Sequence, residues 1–304
     1  MKVMKHALLT VPVLALSATL AFAQATPAAR PTAKKAQNNE FAMMTWPEVK
    51  AAIAAGKTTA LVYTGGTEQR GPQNVNGGHT LMGTEIVKTI AARLGNALWL
   101  PVLPYTPNNA SADLPGTIGL TPEILGAVLE RITDQAMATG FKNVVIMGDH
   151  GGGQPATYAE VAKKMDAKYS PEGKHVVFCD RVYAAAQGDF DDWLVAHGYP
   201  RSSHAGIPDT STMMYLGGDK GWVRKDLIAT AEGDPVPPPG ARGQGRGRGA
   251  ADPNAPPRKN NGISGDARRS SVALGKQAFD VKIEYAVKQI PELLANASKA
   301  TTQH

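Results

Sequence analysis

The stretch Phe141-Lys-Asn-Val-Val-Ile-Met-Gly-Asp-His-Gly-Gly-Gly153 limits the possible folds more than any other. Asn143 to Met147 is a short, β-branched apolar run entered from a helix stop at Gly140, the pattern of a strand buried on both faces in a parallel sheet. It ends in Gly148-Asp149-His150 followed by three glycines. Ligands of open α/β sheets sit at the carboxyl ends of the strands. A histidine there, beside glycines that let the backbone approach a bound group, is a candidate metal ligand or catalytic residue. The plainer alternative is a glycine turn in which His150 only caps a helix. A phosphate loop is excluded, because no Gly-Lys-Ser/Thr follows at the required spacing.

The flanking sequence supplies the units that such a strand needs. Thr45-Trp-Pro-Glu48 is a capping box, and its helix stops at Gly56. Thr58 to Thr64 reads as a strand, and a polar loop from Gly65 to Gly83 follows it. Ile86, Val87, Ile90 and Leu94 have helical spacing over Glu85 to Leu94, closed by Gly95. Ala97 to Leu103 is the next strand. Thr121-Pro-Glu123 opens a helix to Gly140, with Ile124, Val128, Leu129 and Ile132 on one face. A helix over about Pro155 to Tyr169 and a strand carrying Cys179 come next, and a helix from Ser271 to Ile290 closes the chain before Pro291. Strands alternating with helices predict an α/β three-layer sandwich, a mostly parallel sheet flanked by helices.

The first residues predict export. Lys2 and Lys5 form a positive start, Ala7 to Leu20 is apolar, and Ala21-Phe-Ala23 is a small-x-small cleavage site, so residues 1–23 read as a signal peptide. That apolar run is too short to span a membrane comfortably, and Pro12 interrupts it. Residues 24–39 read as a disordered lead-in, and residues 40–304 as one domain. Within that domain, about 232–261 is a Pro/Gly/Arg-rich insertion that lacks the apolar residues to build a core, expected to be flexible. Its arginines could instead contact an anionic surface. The net charge of +6 is concentrated there and in the leader, so the body is nearly neutral and unlike a nucleic-acid binder. The lone cysteine, Cys179, excludes an intrachain disulfide and a cysteine-based zinc site, and its strand setting predicts a buried, inert thiol.

Two further polar clusters carry chemistry. One is Gly65 to His79, which contains Glu68. The other is His204-Ala-Gly-Ile-Pro-Asp-Thr-Ser211. With His150 they offer two carboxylates, Glu68 and Asp209, and three imidazoles. Glu, His and His around one divalent ion is the ligand set of a catalytic zinc that keeps a position open.

These segments resemble the creatininase family of metal-dependent amidohydrolases. Glu68-Gln-Arg-Gly-Pro72 is similar to its Glu-Gln-His-Gly-Pro, and Gly148-Asp-His-Gly-Gly-Gly153 to its Asn-Gly-His-Gly-Gly-Asn. His204-Ala-Gly-Ile-Pro-Asp-Thr-Ser211 is similar to His-Ala-Gly-x-x-Glu-Thr-Ser, and Pro115-Gly-Thr117 and Gly262-Ile-Ser-Gly-Asp266 match two further signatures. The likeness covers about Met44 to Ile290. It implies hydrolysis of a C–N bond in a small amide or cyclic amide, and a homo-oligomer. Family members hold two metals. Here Arg70 stands where the pattern has a metal-binding histidine, and His79 where it has the bridging aspartate.

The resemblance therefore implies one ion on Glu68, His79 and His150. Zinc is expected, with manganese or iron as alternatives. His204 is the implied proton shuttle, and Asp209 completes the coordination or orients that shuttle. Arg70, which has no lone pair for a metal, would fill the vacated position and polarise a carbonyl or hold a carboxylate. Asp149, Gly151 and Gly152 are expected to contact substrate. The alternative function is a periplasmic small-molecule binding protein on the same scaffold, with Arg70 holding an anionic ligand.

The leader generates a direct test. Material recovered outside the cytoplasm should begin at Gln24 by N-terminal sequencing. Recovery only of an intact Met1 chain from the cytoplasm contradicts export.

Overall fold

The apolar runs become four parallel strands: β1 (Thr59–Thr64), β2 (Ala97–Trp99), β3 (Asn143–Gly148) and β4 (His175–Phe178). They lie in the order β2-β1-β3-β4. A computed structural model describes residues 38–236 and 258–301. The expected signal peptide, nearly all of the expected lead-in and the centre of the Pro/Gly/Arg insertion lie outside the described residues. Among those described, the helices are α1 (Trp46–Ala54), α2 (Gly78–Leu94), α3 (Pro122–Thr139), α4 (Gln154–Tyr169), α5 (Ala184–Ala196), α6 (Ile207–Gly217) and α7 (Val272–Thr301), besides short 3-10 turns. No helix among them is long and apolar enough to cross a membrane.

Strand alternation builds the layers. Leu61, Tyr63, Val145, Met147 and Val177 point to one face, where they join Met82, Ile86 and Ile90 of α2 and Phe279 and Ile283 of α7. Their neighbours Ala60, Val62, Val144, Ile146 and Val176 point to the other face, against Leu125 and Leu129 of α3 and Tyr158 and Val161 of α4. The expected three-layer sandwich with a parallel sheet is what forms. Each fully buried aliphatic side chain contributes about 1.5–3 kcal/mol relative to exposure, so both faces must be covered.

Several boundaries depart from the sequence reading, each for a packing reason. The polar loop after β1 ends sooner, because α2 already begins at Gly78, so His79 sits in a first helical turn. Glycine permits that start: a Cβ on Gly78 would lie 2.8 Å from Met213 Sδ and 2.9 Å from Arg70 Cδ. On α3 the buried residues are Leu125, Leu129, Thr133, Ala136 and Met137, whereas Ile124 is half exposed. The apolar stripe of α3 is wide, and the position of the sheet selects which edge of it is buried. β2 stops at Trp99, although Leu100 and Leu103 still donate to the carbonyls of Leu61 and Tyr63. Helices α5 and α6 form where no helix was expected.

The described flanks of the 232–261 insertion are hydrogen-bonded. Gly233 and Asp234 donate to the carbonyls of Gly265 and Ile263, and the Lys259 amide donates to Asp234 at 2.7 Å. Cys179 is a buried free thiol that donates to Gln289 Oε1 at 3.2 Å, and burial pushes it up to about 12, which matches the expected inert cysteine.

The largest departure is α7, which runs through Pro291 to Thr301. Proline removes the hydrogen bond to the Val287 carbonyl and disfavours the helix. Leu293, Leu294 and Ala297 beyond it pack on the apolar cluster of the sheet, and that burial offsets the loss. Pro291→Ala should therefore restore the missing bond and raise the melting temperature. An unchanged or lower value in a thermal melt would show that the proline relieves a clash.

Candidate metal centre

Parallel neighbours carry their following loops to one edge of a sheet. Thr64 at the end of β1 pairs with Gly148 at the end of β3, so the loops holding Glu68 and His150 leave side by side. The first of these loops then folds back over α2. A Cβ on Gly65 would lie 2.5 Å from Thr80 Cα, so only glycine allows an approach that brings His79 under Glu68. The predicted trio is thereby assembled: the ligand atoms of Glu68, His79 and His150 all lie within 4.8 Å of one another, and all three residues are buried.

Glu68 is the hub. Its Oε1 lies 2.9 Å from His79 Nε2, 3.1 Å from Arg70 Nη1 and 3.3 Å from His204 Nδ1. Its Oε2 lies 2.7 Å from His150 Nε2 and accepts from Asn108 Nδ2 at 2.7 Å. Burial opposes its ionisation, but hydrogen bonds with His150, His204 and His79 outweigh burial and hold the carboxyl well below the usual range.

The other expected residues fall around this hub. Arg70 is completely buried. Its Nη2 lies 2.5 Å from Asp209 Oδ2, so the guanidinium is enclosed between two acids. Its partners are these acids, both from the chain itself. Asp149, expected at the substrate, is buried beside the centre: it pairs with Lys282 of α7, and its Oδ2 lies 3.6 Å from His79 Nδ1.

Asp209, in the first turn of α6, accepts the Ala205 amide at 2.8 Å. Ala205 is held at φ 58°, a strained value for a residue with a side chain, and its carbonyl accepts from Gln73 Nε2. Asp209 therefore orients the turn that carries His204 and completes no ligand set. Burial opposes its ionisation too, but Arg70 and then His79 outweigh it and hold the carboxyl below its usual value.

His204 is the accessible member, with its side chain 26% exposed. Its Nε2 lies 2.8 Å from the Gln69 carbonyl, which can only accept. One ring hydrogen is therefore on Nε2, and Nδ1, 3.3 Å from Glu68 Oε1, is the nitrogen that donates to that carboxylate when the ring carries a second hydrogen. The Gly262 to Asp266 signature walls this side, because Ser264 donates to the His204 carbonyl. Gly151 and Gly152 are exposed at the mouth. The Gly152 amide donates to His150 Nδ1 at 3.1 Å, which serves the histidine rather than a substrate.

The donor set fits one divalent ion: a carboxylate and two imidazoles, buried and convergent. Taking an ion at His150 Nε2 requires the ring hydrogen to move to Nδ1. That hydrogen displaces the bond from the Gly152 amide, and Gln154, whose Oε1 has no partner, can turn its amide to accept it.

Residues 42–290 match the family described as creatinine amidohydrolase, or creatininase. The chain belongs to the creatininase family. A segment of 112 residues is 29% identical to the creatinine amidohydrolase of Pseudomonas putida, and it spans 35% of this chain and 43% of that protein. Among solved structures, a manganese form of creatininase and a variant carrying two zinc ions each superpose with a TM-score of 0.65 at 22% identity. Each comparison covers 84% of this chain and 98% of the other.

Asn108, Lys282 and Asp191 escaped the sequence reading, since none lies in a recognisable motif. Asp191 sits on α5, and its Oδ1 is buried without a hydrogen-bond partner. Burial first, then the charge of Asp209, pushes its carboxyl up to about 7. Its folded value lies above its unfolded one. Its contribution to stability is thus complete below about pH 4 and is lost as pH rises through about 7. Asp191→Asn should raise the melting temperature at pH 8 and change it little at pH 4. Equal shifts at both pH values would contradict the assignment.

Proposed function

We propose that this chain is an exported hydrolase that uses one divalent ion to cleave the C–N bond of a small amide or cyclic amide. The observation that carries the reading is the buried convergence of Glu68, His79 and His150 beside the accessible imidazole of His204. Family membership supports an amidohydrolase-like reaction; the resemblance extends the proposal to a homo-oligomer, and the leader-like residues 1–23 extend it to an exported protein.

Buried charge favours a single ion. Glu68, Asp149 and Asp209 are three carboxylates held ionised, and Arg70 and Lys282 are the two buried cations facing them. With neutral histidines one negative charge is left uncompensated, which suits one divalent cation and one anionic reactant better than a pair of ions. Arg70 occupies the space between Glu68 and Asp209 with a group that cannot ligate. Two imidazoles favour zinc, and manganese or iron are alternatives.

When bound, such an ion supplies a nucleophile at neutral pH and polarises the scissile carbonyl. The remaining work falls to the chain. Glu68, His79 and His150 hold the ion, and Arg70 and Asn108 fix Glu68. His204 has its Nδ1 aimed at the centre, with its other nitrogen anchored on the Gln69 carbonyl. It takes a proton there and delivers it to the leaving nitrogen. The exposed glycines at 151 and 152 leave the mouth open to a small substrate. A binding protein that uses Arg70 for an anionic ligand is not favoured, because Arg70 is enclosed.

The test is metal analysis after gentle purification, combined with turnover on a panel of linear and cyclic amides. The wild type should carry one ion per chain. Glu68→Gln should lose both ion and turnover. His204→Ala should keep the ion and lose about 10²–10⁴-fold in rate. A metal-free wild type that binds amides without cleaving them would refute the hydrolase reading.

A further inference from the structure

Helix α7 contributes no motif residue to the centre, yet it reaches into it through one buried cation. Lys282 is 7% exposed and pairs with Asp149 Oδ1, and its ammonium lies 5.3 Å from the centre of the Tyr183 ring. Asp149 is 3% exposed, and its other oxygen faces the ring of His79 at 3.6 Å. That ring nitrogen, His79 Nδ1, is buried and has no hydrogen-bond partner. The separation is only slightly beyond a hydrogen bond, and a small turn of the ring closes it. On its opposite edge, His79 Nε2 meets Glu68 Oε1 at 2.9 Å. Glu68, His79, Asp149 and Lys282 therefore form one line, from the centre of the site to the C-terminal helix.

We propose that Asp149 and Lys282 are positioning residues for the metal centre. Asp149 takes the Nδ1 hydrogen of His79 and so presents the Nε2 lone pair to the ion, while Lys282 holds Asp149 in place. This assignment rests on the metal reading above and gives it a second layer. A ligating imidazole needs its other nitrogen to donate, because the donation fixes both tautomer and ring orientation. For His79 the acceptor within reach is Asp149. An ionised acid there needs a counter-charge in a site from which water is excluded, and Lys282 supplies it from an element that the sequence places more than a hundred residues away.

The test measures zinc affinity by competition with a chromophoric chelator, without reference to turnover. Replacing the pair together, Asp149→Leu with Lys282→Met, leaves no unpaired buried charge, so the fold should survive by circular dichroism. Zinc should then bind about 10–100-fold more weakly, the usual cost of removing such a partner. Lys282→Arg keeps the counter-charge and should stay close to wild type. If the double variant does not fold, Asp149→Asn is measured the same way, since its amide can donate to Nδ1 and favour the opposite tautomer; it should also weaken zinc. Unchanged zinc affinity in the folded variants overturns this assignment and leaves the metal reading standing. A wild type that takes up no zinc, manganese or iron overturns the metal reading itself, and this assignment with it.

Discussion

A carboxylate removed from water must find its compensation within the protein, and Glu68 is the carboxylate around which this molecule is arranged. Both oxygens are engaged. Imidazoles come from α2, from the end of β3 and from the turn before α6, a guanidinium comes from its own loop, and an amide comes from the loop after β2. In a poorly screened interior each such contact weighs far more than at a surface, and removing one partner costs several kcal/mol. The loops at the carboxyl edge of the sheet therefore have little freedom, because each delivers a group that Glu68 requires.

Around that hub lies a second ring in which acids and bases alternate. Asp149 is held by Lys282, and Asp209 is held by Arg70 while it receives the Ala205 amide. These pairs do not touch the mouth of the site. They fix the side chains that do, and the strained backbone at Ala205 persists because Asp209 and Gln73 hold it from both sides. One face stays open, where the glycines after β3 carry no side chains and where the His204 side chain is partly exposed.

Arg70 shows how a substitution in a family motif can change a site without emptying it. The guanidinium cannot bind a metal, yet it binds two carboxylates at once, and the space is closed to solvent. A second exchange accompanies it. His79 stands where the motif has an acid, and an acid, Asp149, stands beside it where the motif has glycine. Relative to the motif, the negative charge has moved from position 79 to Asp149, behind the imidazole that replaces it.

The parallel sheet, its flanking helices and the trio Glu68, His79 and His150 were legible in the sequence. Strand and helix periodicities are local properties, and two polar segments that each follow a strand meet at one edge of a parallel sheet. The run of α7 through Pro291 was not legible, because a local rule says stop and only the apolar surface waiting beyond it overrides that rule. The buried face of α3 was misjudged by one position for a related reason: a wide apolar stripe does not say which of its edges the sheet will meet. For Arg70 and Asp149 the sequence offered charges and motif positions, and only the structure shows that each is buried against a partner of opposite charge, because a sequence does not say whether water reaches a charge. Lys282 was silent, one lysine on a mixed helix, until the packing of α7 set it against Asp149. Sequence alone determined the elements and the chemistry available at their ends. Burial and charge pairing, which are long-range and depend on which neighbours exclude water, were decided only by the tertiary structure.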